Sequence, residues 1–175
     1  MIDYEVIVTA ETGAEIITVE ECKNFIRIDT SADDTLIGIM ITAARKNAEA
    51  LIGRDIVAKE RTMWVGLWEN FIDERINLLF GPIDEVTAVG LADNTPLTFE
   101  VFGIKDKSVK LNQIAQNFTI DYTTTGMDDS LLKQALLQIV STYYDNRTDF
   151  VTGMTVNELP SGAVAILNGY KYLYF

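Results

Sequence analysis

What this chain of 175 residues lacks narrows its chemistry first: it has no histidine, one cysteine, three prolines, and 14 basic residues against 26 acidic ones. Without histidine there is no imidazole general base, no imidazole metal ligand and no Ser-His-Asp or Cys-His triad. The lone Cys22 can close no disulfide within the chain and build no thiolate cluster, and the first residues carry no basic, apolar and small-residue leader pattern. A reducing, cytoplasmic setting is the expectation. No apolar run approaches the roughly 20 residues that span a bilayer, so a soluble protein without a membrane partner is expected. The net charge of −12 speaks against a grip on nucleic acid, which needs Lys and Arg to replace phosphate counterions. Also absent are the P-loop, the dinucleotide fingerprint, the nucleophile elbow and any Cys/His metal spacing. No cofactor and no enzymatic activity are expected.

What is present is an apolar fraction of 48% in a length that suits one domain, or a domain with an insertion. The acid is concentrated near the N-terminus, where residues 1–35 hold nine carboxylates against Lys23 and Arg27. Its ordinary role would be a solvated, repulsive surface. Residues 4–9 are β-branched and aromatic and read as a short strand or an extended arm. Thr18 and Glu21 then form a capping-box pair ahead of Val19, Cys22, Phe25 and Ile26 on one helical face. Cys22 on that face is expected to be a small buried hydrophobe. Asp29 to Asp34 interrupts the helix, and a long apolar stripe follows from Asp34 to Ile52, with Gly53 placed to end it. Asp33 and Asp34 suit the positive end of that helix and need no catalytic role.

From 57 to 126 the apolar period changes from helical to two. Candidate strands are Lys59–Val65, Arg75–Phe80, Glu85–Leu91, Leu97–Phe102, Ser108–Leu111 and Asn117–Thr123. Trp64, Trp68 and Phe71 near the start of this stretch fill its core or, as a minority reading, form a platform for a ligand or peptide. The helical period returns at Asp128, Asp129 and Ser130, where Leu132, Ala135, Leu136, Ile139 and Val140 make a broad apolar face running to about Arg147. Pro160 starts a short helix over Ser161–Asn168. The last six residues carry four aromatics, which either pack back on the domain or dock on a partner.

These elements predict an α+β fold that is mainly α: a long central helix, an antiparallel partner helix and short capping helices, with a small antiparallel β-insertion between the second and third helices. The expected division is an N-terminal arm with two core helices over 1–56, the insertion over 57–126, and a third helix, short final helix and aromatic tail over 127–175.

Four segments in order resemble the head-tail connector proteins of tailed bacteriophages. TVEECKNFIRID over Thr18–Asp29 is similar to the family's opening helix and acidic turn, and DDTLI at Asp33 with AARKNAEALIGR over Ala43–Arg54 to its long second helix. LKQALLQIVSTYYDNR over Leu132–Arg147 is similar to the third, and ELPSGAVAIL over Glu158–Leu167 to the final element. LLFGPIDEVTAV over Leu78–Val89 resembles a run in the longer, β-inserted members. The departures are mild, such as Cys22 at a position where a small residue is usual. The resemblance implies a structural protein of the virion's head-tail junction, made in the host cytoplasm. It implies a ring of about a dozen copies below the portal protein, extending the DNA channel and offering a surface to a downstream neck or tail-completion protein. DNA would pass without specific binding. Candidate contacts with other copies or the portal are Arg45, Glu49, Arg54, Arg147, Tyr170, Tyr172, Tyr174 and Phe175. Candidate channel acids are Asp29, Asp33 and Asp34. The competing readings are a ligand- or peptide-binding module built on Trp64, Trp68 and Phe71, and an acid-dependent enzyme using a hard cation.

Overall fold

The computed structural model describes residues 3–68, 74–93, 95–146 and 159–172, leaving aside the side chains at 67 and 68. Its elements in chain order are β1 (Tyr4–Glu11), α1 (Val19–Ile26), α2 (Asp34–Ile52), β2 (Lys59–Trp68), β3 (Ile76–Asn77), β4 (Ile83–Leu91), β5 (Phe99–Phe102), β6 (Ser108–Leu111), β7 (Ala115–Thr124), α3 (Ser130–Asp145) and α4 (Ser161–Asn168). The chain divides into two compact units, one of residues 1–14 with 57–127 and the other of 15–56 with 128–175.

The described residues of the first unit form strands and turns. β1, β2, β7 and β4 form one antiparallel sheet in that order, and β3, β6 and β5 form a second. Met63 and Val65 of β2, Phe118, Ile120 and Tyr122 of β7, Val89 of β4 and Val109 and Leu111 of β6 are buried in one apolar cluster drawn from both sheets. From Phe118 onward β7 alternates strictly: Phe118, Ile120, Tyr122 and Thr124 are buried while Thr119, Asp121 and Thr123 between them are not. The Tyr122 hydroxyl satisfies itself on the Leu79 carbonyl at 3.0 Å. Gly13 is needed where it stands, since a Cβ there would lie 2.5 Å from the Ala58 backbone nitrogen.

The second unit is helical. α1 begins with the capping box read in the sequence: Thr18 Oγ1 accepts from the Glu21 N–H at 3.1 Å and Glu21 Oε2 from the Thr18 N–H at 2.7 Å. α2 runs the full length of its apolar stripe and stops at Gly53, whose φ of 67° lets its N–H reach the Glu49 carbonyl. Ile37, Ile41, Ala44, Ala48 and Ile52 of α2 are buried, as are Leu132, Ala135, Leu136, Ile139 and Val140 of α3 and Ala163 and Leu167 of α4. Cys22 is also buried, 1% exposed, and burial pushes its thiol up to about 11, with Glu21 beside it adding to the shift.

The expectation of a mainly helical protein is not met. Strands take about 32% of the described residues, in two antiparallel sheets, so the fold is α+β with a large β share. The sequence reading understated the strands for two physical reasons. β4 changes register between Ile83 and Val86 and again between Val86 and Ala88, which breaks the period-two pattern at the start of the strand. β1, read as a short strand or an arm, is a full partner of β2, with Tyr4 opposite Val65 and Ile7 opposite Thr62.

Candidate functional site

The residues nominated for partner contacts fall into two groups in the helical unit. Arg45 and Glu49, one turn apart on α2, are turned inward. The Arg45 side chain is only 3% exposed; its Nε donates to Glu15 Oε2 at 2.8 Å and its Nη1 to Glu49 Oε2 at 3.1 Å. The other Glu49 oxygen accepts the Ile56 N–H at 2.9 Å, and Glu15 also accepts from the Thr42 hydroxyl at 3.0 Å. This network ties the segment before α1 and the chain beyond α2 to α2 itself. The sequence signal was the i, i+4 Arg45–Glu49 pair, whereas the third member, Glu15, had none.

The second group lies at the C-terminal end. The Arg54 guanidinium sits over the Tyr172 ring, 4.7 Å from its centroid, and the Tyr172 N–H donates to the Ile52 carbonyl at 2.9 Å. The Tyr170 hydroxyl donates to Asp129 Oδ1 at 2.6 Å. That bond, with a second from the Leu131 N–H, holds the Asp129 carboxyl below the usual carboxylate range, and the same contact raises the Tyr170 phenol. Up to Tyr172, then, the aromatic tail packs back on its own unit. Arg147, Tyr174 and Phe175 lie outside the described residues.

Of the three candidate channel acids, two are occupied. Asp33 Oδ2 accepts from the Tyr144 hydroxyl at 2.6 Å, which links the start of α2 to the last turn of α3. Asp34 pairs with Lys23 of α1 at 2.8 Å. Asp29 is exposed.

A second acidic surface, missed in the sequence reading, belongs to the β unit. The face of the four-stranded sheet turned away from the apolar cluster carries Glu5 and Ile7 of β1, Glu60, Thr62 and Trp64 of β2, and Asp121 of β7, which accepts from Thr62 at 2.6 Å. The two cations of these strands, Lys59 and Arg61, are buried on the opposite face, where Arg61 lies 4.0 Å from the Phe80 ring centroid. Period-two sorting of acid from base along β2 was the available signal. Of the proposed aromatic platform, Trp64 is half-buried on the acidic face; the Trp68 side chain and Phe71 lie outside the described residues. No three acids or thiols converge as they would around a metal ion, among the described residues. Nor, among these, is any helix long and apolar enough to cross a membrane.

An acid-faced sheet, a helical unit tied by internal ion pairs and a tail folded back on it describe a body that offers surfaces. Comparison with known proteins adds a likeness over part of the chain. Residues 16–87 match the model of the phage gp6-like head-tail connector proteins. The connector match spans α1, α2, β2, β3 and the first half of β4, and it bears out the resemblance read from TVEECKNFIRID and AARKNAEALIGR. Among curated proteins there is no match. Among solved structures, the fold recurs in a chain from the "Virion of native gene transfer agent (GTA) particle", at a TM-score of 0.75 and 16% identity, covering 97% of this chain and 96% of that one. It recurs again in a chain from the "Neck of empty GTA particle computed with C6 symmetry", at a TM-score of 0.75 and 18% identity over 98% and 97%.

Proposed function

We propose that this protein is a structural component of a phage-like virion, a head-tail connector. It forms a ring under the portal, extends the DNA channel and offers a docking surface to the next neck protein. The observation that carries the reading is the connector-family match over residues 16–87. A fold shared with chains of a gene transfer agent virion and of a neck computed with C6 symmetry supports it, since cyclic symmetry is what a ring of copies requires. The mechanism is physical, not chemical. A channel bounded by carboxylates repels phosphate and lets DNA slide, whereas one bounded by Lys and Arg would hold it through counterion release. Asp29 and the acidic sheet face are the groups free to act in this way.

Arg45, Glu49, Asp33 and Asp34 serve the connector from inside, by fixing the helices that present the contacts. Arg54 and Tyr170 to Phe175 form the part that meets the portal or a neighbouring copy. Mixing the purified protein with its portal and imaging the assemblies tests this. An added ring of density below the portal is the expected result; portals that never acquire one at saturating protein would refute the assignment.

A further inference from the structure

The four-stranded sheet has two edges, and they are finished differently. Along β4 the edge is closed by the chain that follows it. The Leu91 N–H donates to the Thr95 carbonyl at 2.9 Å, Gly90 bridges to Pro96, and the Leu97 N–H donates to the Val89 carbonyl at 2.8 Å. At the other end of β4 the Ile83 N–H donates to the Lys105 carbonyl at 2.7 Å, and Lys107 Nζ donates to the Asp84 carbonyl. Two register shifts further break its line.

Along β1 nothing comparable is found among the described residues. The Gly66 N–H donates to the Asp3 carbonyl at 2.9 Å, so with antiparallel alternation the backbone groups of Asp3, Glu5 and Ile7 face β2 and those of Tyr4, Val6 and Val8 face away. Among the described residues no strand or side chain meets these outward groups. Tyr4, Ile7 and Val8 are 48%, 51% and 44% exposed, on both faces of the strand. β1 also lacks the usual protections of an edge: it contains no lysine and no proline, and its bulge comes only at Val8 to Ala10.

Charge decides what fits there. The sheet face beside β1 carries Glu5, Glu60 and Asp121, and its strands place no Lys or Arg on that face among the described residues. A strand laid against β1 with cations opposite Glu5 gains cross-strand attraction, and an acidic one is repelled. A second copy is poorly suited. Its described strands that carry cations are β2 with Lys59 and Arg61 and β6 with Lys107 beside it and Lys110, and both are central in their sheets, already paired on each side. We propose that the free edge of β1 takes on a fifth strand from a different protein, an extended segment in which β-branched or aromatic residues alternate with Lys or Arg. Backbone bonds to Tyr4, Val6 and Val8 supply the affinity, and the acidic face selects the charge. That no described residue pairs with this edge holds whether or not the chain serves as a connector.

The test uses the full chain and two eight-residue probes, one alternating Lys with Val and one alternating Glu with Val, followed by amide hydrogen exchange. The Lys-Val peptide is expected to slow exchange at Tyr4, Val6 and Val8 at least tenfold, and to bind at least tenfold more tightly than the Glu-Val peptide. Val8→Pro removes an outward N–H that β2 does not use, a position where an edge strand tolerates proline, and is expected to abolish the protection without changing the thermal midpoint. Glu5→Lys is expected to reverse the preference between the peptides, and it decides the matter if Val8→Pro fails to fold. Absence of protection by either peptide, or equal binding of both, overturns the proposal. So does protection of the same amides that grows with protein concentration alone, which would give the edge to a second copy.

Discussion

The Tyr170 hydroxyl closes on Asp129 Oδ1 at 2.6 Å, joining the residue just beyond α4 to the N-cap of α3 across 41 positions of sequence. One carboxylate thus accepts from its own helix and from the tail. Because the Asp129 carboxyl is held below its ordinary value, first by Tyr170 and then by the Leu131 N–H, its stabilising effect is complete above the unfolded value and is lost as pH falls through the folded one. The Tyr170 phenol is raised, so its share is complete below its ordinary value near 10 and lost as pH climbs past the folded value. Ultraviolet titration should find a tyrosine that ionises above the usual range, and in Asp129→Asn that late component should move back down. An unchanged titration would show that the pair does not form.

Cys22 should behave as an inert thiol. With its pKa at about 11, the thiolate fraction near neutrality is too small for attack, and burial blocks access besides. A disulfide reagent at pH 8 is expected to label it only after urea unfolds the chain. Stability should also decline as pH rises past the thiol's ordinary value, since the unfolded chain then releases a proton that the folded one keeps. Cys22→Ser would bury a hydroxyl in an apolar site, at a cost of about 1–3 kcal/mol.

Removing one member of the α2 network should cost more than its hydrogen-bond count suggests. Arg45→Ala removes the guanidinium 3.1 Å from the Glu49 carboxylate, which is 9% exposed, and breaking a buried pair in this way costs about 3–5 kcal/mol in urea unfolding. Glu15→Ala should cost clearly less, because the Glu15 side chain is 29% exposed and water replaces it. Equal losses from the two variants would contradict the geometry.

Two glycines should respond oppositely to alanine. Gly38 lies inside α2 with nothing within 4 Å of the position a Cβ would take, so Gly38→Ala is expected to stabilise by about 0.5–1 kcal/mol. Gly103, at a φ of 96° in the β5–β6 turn, would drive a Cβ to 2.2 Å from the Asp106 carbonyl oxygen. Gly103→Ala should therefore lower the thermal midpoint, with loss of exchange protection at Val101 and Val109, which face each other across that hairpin.

The helices were legible because their signals are local. Thr18 and Glu21 mark the start of α1, Gly53 the end of α2, and the Leu132 to Val140 stripe the buried side of α3. The β share was less so, because strand pairing is long-range. Nothing in residues 4–9 says that Ile7 will stand opposite Thr62, and bulges blur the alternation of β4. The candidate contacts suffered similarly. Tyr144 meets Asp33 from 111 residues away, and Arg45 collects Glu15 from 30. Residue type marks these groups as polar, but burial decides whether a polar group faces a partner or its own core.

Each compact unit is built from two separated stretches of chain, and this has a consequence for synthesis. The β unit is complete once residue 127 has emerged, whereas α1 and α2, made earlier, wait for the apolar faces of α3 and α4. At about 5–20 residues per second that wait is several seconds, during which Ile37, Ile41 and Ile52 have no helix to cover them. The nascent chain therefore spends its longest exposed interval in the region that matches the connector family, and a chaperone that holds apolar helices would find its target there and not in the sheets.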